Sequence, residues 1–371
     1  MAQQTGRPAP DVAGPSAPAS SGSSGAARPK PRLLWVDAAR GYAVLAVVLF
    51  HFVQWSFQHW SIDGPLGQGW ELVGFVLSAV RMPLLLGVSG LLLARQVREG
   101  LHRSTTVYRS VTTYWLFAVW TGVYLLVAVL TPASTWRPRW ALEASPEQLV
   151  VPDSPLWYLL ALALYVLVLA ALRRVPPAVV LGVLAVVSVV CAAVQVDTFR
   201  TWVSIPQYAL FFALGVYGRD TIMRWTSTAR WLPVLGLGAG AMVLLAASRI
   251  PTVHPVRGLL LTLSSAVALA FAAGFVARAV AWRPFAAVGR YVGQRTLAVY
   301  VTHPIVFQLV LWGGDEAPAL RHAAVAAVVV LPLLAVALAV GVGLVVDAVA
   351  RRVGLSFLLE LPRPLRTRFG R

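Results

Sequence analysis

The chain has 371 residues, of which 58% are hydrophobic and only 12% charged, with 31 Lys and Arg against 14 Asp and Glu for a net charge of +17. A soluble domain carries about a quarter charged residues, so apolar runs of about 20 residues recurring along this chain point to an all-α, polytopic membrane bundle. The basic residues flank apolar runs and form no stripe, which excludes nucleic acid as a partner and leaves topogenic charge and contact with anionic membrane lipids.

Residues 1–31 are polar and rich in Pro, Ala, Ser and Gly. They lack a compact signal peptide and read as a disordered cytosolic tail. About ten spans follow, near 36–56, 70–94, 107–130, 155–172, 177–195, 201–218, 231–248, 257–279, 290–312 and 322–349, within a membrane domain of 32–350. Arg and Lys concentrate in alternate connections, which puts both termini in the cytosol. Residues 351–371 then form a basic cytosolic tail. The longest outer connection, 131–154, carries Glu143, Glu147 and Asp153 and is expected to form a cap or short interfacial segment.

The first span carries Arg40 and His51. Eleven residues at about 100° each return the chain to nearly the same face, about 16 Å further along the axis. An ionisable base deep in an apolar helix is costly and marks a site or a pathway. Arg81 in the second span, Gln207 in the sixth and His303 in the ninth fall at a similar depth by span position. Pro83, Pro206 and Pro304 stand beside them. Each proline frees a carbonyl, so the layer reads as the floor of a water-accessible cavity. At the cytosolic end of the second span, Arg95 and Arg98 share a helical face, with Arg103 and Arg109 beyond them. Two guanidinium forks on one face suit a phosphate.

Cys191 is the only cysteine, so an intramolecular disulfide and a cysteine-based metal site are excluded. No metal is expected. Gly236-Leu237-Gly238-Ala239-Gly240 lies inside a span with the wrong spacing for a nucleotide loop, and reads as close helix packing. Lys30 is the only lysine, and Ala, Val and Gly abound, a bias that fits a GC-rich bacterium.

Together these residues resemble acyltransferase family 3, membrane enzymes that O-acylate extracytoplasmic glycans from acyl-CoA. The first span resembles the family's opening signature, with Asp37, Arg40-Gly41 and His51. Arg81-Met82-Pro83-Leu84-Leu85-Leu86-Gly87-Val88-Ser89-Gly90 resembles its second-span segment, although Leu85, Leu86 and Gly87 stand where phenylalanines are common. Arg95-x-x-Arg98 resembles the family's arginine pair, and Leu156-Trp157-Tyr158-Leu159 a later span start. Val288-Gly289-Arg290 with Thr296 to His303 resembles the segment ending in Tyr-x-x-His, through Tyr300 and His303. The resemblance covers about 36–312 and implies an acyltransferase of the bacterial cytoplasmic membrane.

It implies acyl-CoA, acetyl-CoA by analogy, as co-substrate, and a carbohydrate or glycoside acceptor. His51 would be the catalytic base, Arg81 would steady the oxyanion or the acceptor, and His303 and Tyr300 would support them. Arg95 and Arg98 would hold the CoA phosphates, with Arg40 at the inner mouth. A transporter or flippase for a polar or lipid-linked sugar is the alternative reading of the same buried His and Arg.

Overall fold

The computed structural model describes residue 1 and residues 34–57, 65–102, 104–130, 146–197, 200–315, 325–362 and 365–366. The N-terminal segment 1–31, Arg103 and most of the connection 131–154 lie outside the described residues, apart from Met1 and residues 146–154. Residues 34–371 form one compact unit.

Twelve helices are described. They are α1 (Leu34–Phe52), α2 (Pro65–Glu99), α3 (Ser104–Leu130), α4 (Trp157–Ala171), α5 (Pro177–Asp197) and α6 (Ser204–Tyr217). After these come α7 (Arg219–Thr228), α8 (Trp231–Ala247), α9 (Arg257–Ala279), α10 (Arg283–Gly293), α11 (Thr296–Asp315) and α12 (Val325–Arg352). No strand occurs among the described residues. Seven of the helices are long and apolar enough to cross a membrane, and Trp231–Ala247 and Thr296–Leu309 are shorter apolar helices. Nine of the ten expected spans each fall on one helix; α6, of 14 residues, is the shortest of these nine.

Burial ranks the helices. The span window of α2 is 67% buried and those of α1 and α4 56% each, against 17% for α5 and 22% for α12. The first three therefore form the centre, and the last two present apolar faces outward, as helices in contact with lipid must. Small residues let the central helices touch. A Cβ at Gly90 of α2 would strike the Phe212 carbonyl oxygen of α6, and one at Gly215 of α6 would strike the Gly87 carbonyl oxygen of α2. Gly41 of α1 abuts Gly289 of α10 in the same way.

The glycine run 236–240 behaves differently. Gly238 meets the Phe271 ring, but nothing approaches Gly236 or Gly240 within 4 Å. The expected close packing is thus confined to one glycine.

The expected ninth span 290–312 is two elements. Chain order runs from α10 through Gln294 and Arg295 into α11, and Arg295 sits at the break, 3.8 Å from Asp347 of α12. The prolines do not interrupt their helices. Pro83 lies inside the continuous α2 and Pro304 inside α11, while Pro206 falls in the first turn of α6, where its missing N–H costs nothing. Beyond α12 the chain folds back. Trp115 and Trp120 of α3 donate to the carbonyls of Phe357 and Leu358 at 3.0 and 2.7 Å, and Leu361 is fully buried. The first part of the segment read as a basic tail therefore belongs to the bundle.

Candidate active site

α1 delivers His51 at its last turn, and the chain immediately widens into a π-helical turn, Val53–Phe57. Such turns are inserted where a helix must re-aim a side chain. Here Trp55 is brought parallel to His51, with ring centroids 4.7 Å apart. On the other side, His51 Nδ1 lies 2.8 Å from His303 Nε2 of α11. The two imidazole planes differ by only 4° with centroids 5.1 Å apart. A short N···N distance between coplanar rings is an in-plane hydrogen bond, carrying one proton.

The direction of that bond depends on the tautomer of His303, whose ring is fully buried and whose Nδ1 has no hydrogen-bond partner among the described residues. With the His303 proton on Nδ1, Nε2 accepts from His51 Nδ1 and His51 Nε2 is left as a free base.

Arg81 of α2 sits beside this pair. Its guanidinium carbon is 3.5 Å above the centre of the Phe50 ring, and Nη1 reaches the Ser78 carbonyl at 3.4 Å. Nε is buried without a hydrogen-bond partner. The charge lies within electrostatic reach of His51, Tyr208 and Tyr300. An arginine so thinly satisfied in an apolar interior is poised for a further partner.

Tyr300, one turn before His303, donates its hydroxyl to the Pro155 carbonyl and packs edge-on against Tyr158 at 5.4 Å. Tyr158 is 2.9 Å from the Ser89 hydroxyl, which itself donates to the Leu85 carbonyl at 2.7 Å. Ser89 has one proton, so Tyr158 is the donor of that pair. These two tyrosines, Ser89, Arg40, Arg109 and Thr296 line a cavity of about 170 Å³. Arg40 donates to Thr296 at 3.1 Å. Arg109 is exposed while lining the cavity, so the space opens at its end.

The sequence expectations sort cleanly against this geometry. His51, His303, Arg81 and Tyr300 form one cluster, and Arg40 lines the cavity that Tyr300 also lines. Arg95 and Arg98 do not line it. Arg95 pairs with Glu99 at 2.8 Å, its side chain 80% exposed, and Arg98 caps the last turn of α6 through the Val216 carbonyl at 3.1 Å. Gln207 lies apart, accepting from Gln195 at 3.4 Å. Arg109 stood in the sequence as one more cytosolic arginine; the signal that it shares a cavity with Arg40 is tertiary, because α3 must first be placed in the bundle, chiefly against α4. Ser89 and Tyr158 lay inside quoted motifs without a role, and Trp55 carried no signal at all. Among the described residues no group of His, Cys, Asp and Glu could hold a metal ion.

A family model described as an acyltransferase domain, that of acyltransferase family 3, matches residues 33–346 and so spans every element of this cluster. No curated protein and no solved structure matches the chain.

Proposed function

Because the chain belongs to acyltransferase family 3 and is a multi-pass membrane acyltransferase, we propose that it moves an acyl group, acetyl by preference, from cytosolic acyl-CoA to a hydroxyl of an extracytoplasmic or membrane-linked carbohydrate. The observation that carries this reading is the His51–His303 hydrogen bond, one helical turn from Tyr300, which lines the cavity shared by Arg40 and Arg109.

The donor enters at the Arg40 end. About 170 Å³ is below the range of about 300–1,000 Å³ typical of whole-ligand pockets. It admits the slender thioester arm and keeps the nucleotide outside, in reach of Arg109, whose guanidinium has no hydrogen-bond partner among the described residues. Arg95 and Arg98 stand further out, as a second place where phosphate could rest. His51 Nε2 accepts the acceptor hydroxyl's proton as its oxygen attacks the thioester carbonyl. The carbonyl oxygen gains negative charge near Arg81, whose unpartnered Nε–H suits it. The tetrahedral species collapses, the C–S bond breaks, and the proton passes from His51 to the departing thiolate. His303 holds the ring and shares its charge.

Membranes containing the wild-type chain should consume labelled acetyl-CoA and release free CoA, whereas His51→Ala membranes of equal protein content should lose about 10²–10⁴-fold of that turnover. Sugar movement without thioester consumption would replace this reading with transport. The organism's membrane is proposed to be a bacterial cytoplasmic one, with both termini on the CoA side.

A further inference from the structure

The cavity shared by Arg40 and Arg109 stops short of the histidines. Its deepest residue on α1 is Val44, seven positions before His51 and so about 10 Å away along the axis. On α2 it is Leu85, four positions from Arg81, or about 6 Å, and on α11 it is Tyr300, three positions from His303, or about 4.5 Å. Three helices thus agree on where the space ends, and His51, Arg81 and His303 stand outside its lining.

A pair of tyrosines closes it. Tyr300 of α11 and Tyr158 of α4 meet edge-on with ring centroids 5.4 Å apart, a contact distance that leaves no gap between the rings. Both are buried. Tyr300 is pinned to backbone, through its hydroxyl on the Pro155 carbonyl. Tyr158 is pinned only to a side chain, the Ser89 hydroxyl at 2.9 Å. A serine hydroxyl turns with its own rotamer, whereas a carbonyl is fixed by the chain. Tyr158 is therefore the leaf of this wall that yields, and Tyr300 the post.

We propose that Tyr158 and Tyr300 sieve the donor's acyl group by width. The inference rests on the acyl-transfer reading above and adds the residues that choose the acyl group. That group leads the thioester arm, so it is the first part to meet the wall on the way to His51. A thin group, such as acetyl or a straight chain, passes once the Tyr158 ring turns. A chain branched next to its carbonyl needs a wider opening between two rings, one of which is held by backbone. One extra methyl in a tight apolar passage separates donors by roughly tenfold or more. The wall also accounts for the cavity's small volume, about 170 Å³, since the last reach of the arm lies beyond it.

The test uses the full chain in membranes, with acetyl-CoA, butyryl-CoA and isobutyryl-CoA as donors and released CoA as the readout. The two longer acyl groups have the same atoms and differ only in branching, so their comparison reads width at constant size. Tyr158→Ala removes the leaf. It should raise kcat/KM for isobutyryl-CoA about tenfold relative to acetyl-CoA, with a smaller gain for butyryl-CoA. Tyr158→Phe keeps the ring and removes its tether, and Ser89→Ala removes the same tether from the other side. Each should shift the isobutyryl-to-acetyl ratio about threefold, within what the loss of one net hydrogen bond allows. These two milder changes carry the test if Tyr158→Ala does not insert. A change that only loosens packing slows all three donors in proportion and leaves the ratios where they were.

Failure of the wild-type chain to consume any of the three thioesters would overturn the acyl-transfer reading itself. Normal acetyl-CoA turnover, with one isobutyryl-to-acetyl ratio common to the wild type and to the Tyr158 and Ser89 variants, would overturn the sieve and leave that reading intact.

Discussion

As the proposed general base, His51 needs a fixed lone pair. A His303 protonated on its buried Nδ1 would supply one, since Nε2 then accepts from His51 Nδ1 and leaves His51 Nε2 open. His303 is on this view a positioning residue. His303→Ala should lower kcat by about 10²-fold with little change in the KM for acyl-CoA, since it frees the His51 ring without touching the donor cavity. His303→Gln should recover part of that loss, because the amide oxygen can accept from His51 Nδ1; equal kcat for the Ala and Gln variants would mean that the bond only fills space. The arginines divide in the opposite sense. Arg109 lines the proposed donor cavity, whereas Arg98 is spent on the Val216 carbonyl and Arg95 on Glu99. Charge-assisted bonds to phosphate are worth roughly 1.5–3 kcal/mol. Arg109→Ala should therefore raise the acyl-CoA KM by at least about tenfold, and Arg95→Ala by much less. A donor titration returning the reverse order would restore the arginine pair as the phosphate site.

At the scale of elements, α2 links the parts. It carries Arg81 beside the histidines and, further along, Ser89 on the wall of the cavity shared by Arg40 and Arg109. Its alignment is fixed by contact with α6. There Gly215 meets the Gly87 carbonyl oxygen, and an added Cβ at Gly90 would collide with the Phe212 carbonyl oxygen. A carbonyl belongs to backbone and cannot rotate away, so Gly90→Val must push the helices apart. Overpacking of this kind costs typically about 1–3 kcal/mol, and more where backbone is the obstacle. Gly122 of α3 is the control, since nothing lies within 4 Å of a Cβ built there. Thermal denaturation in detergent should show a clear drop in Tm for Gly90→Val and almost none for Gly122→Val. Equal Tm values would mean that the close approach does not hold α2 in place. The glycines show how periodicity falls short. The run 236–240 has the denser pattern, yet only Gly238 touches a neighbour, because packing depends on which face the partner helix meets.

Across the whole molecule, what the sequence made legible is what depends on depth and face. Apolar length placed nine of the ten spans on single helices, and the eleven-residue return from Arg40 to His51 placed both on one face of α1. The partnership with His303 was readable as a shared depth, although rotation around the bundle, which decides contact, was not. The prolines misled because a helix packed on its neighbours tolerates one missing N–H without opening. The C-terminal segment misled for a related reason, since charge-rich composition conceals a few buried apolar anchors. Arg351 grips Asp347 at 2.9 Å and reaches Glu360 at 3.5 Å, and Arg366 also pairs with Glu360. Asp347 is buried and also meets Arg295, at the break that starts α11. The hook thus ties α12 and α3 to the base of the helix that carries His303. Removing residues 354–371 would expose the surfaces covered by Leu359 and Leu361, each worth roughly 1.5–3 kcal/mol when fully buried. It would also leave Trp115 and Trp120 without their carbonyl partners. The truncated chain should insert but melt several degrees lower and turn over more slowly. A chain beginning at Lys30 is expected to match the full length in both measures, because residues before it hold almost no large apolar side chains and cannot build a core. Unchanged melting and turnover after the C-terminal cut would show that the hook carries no part of the fold's stability, and that α11 holds His303 in register unaided.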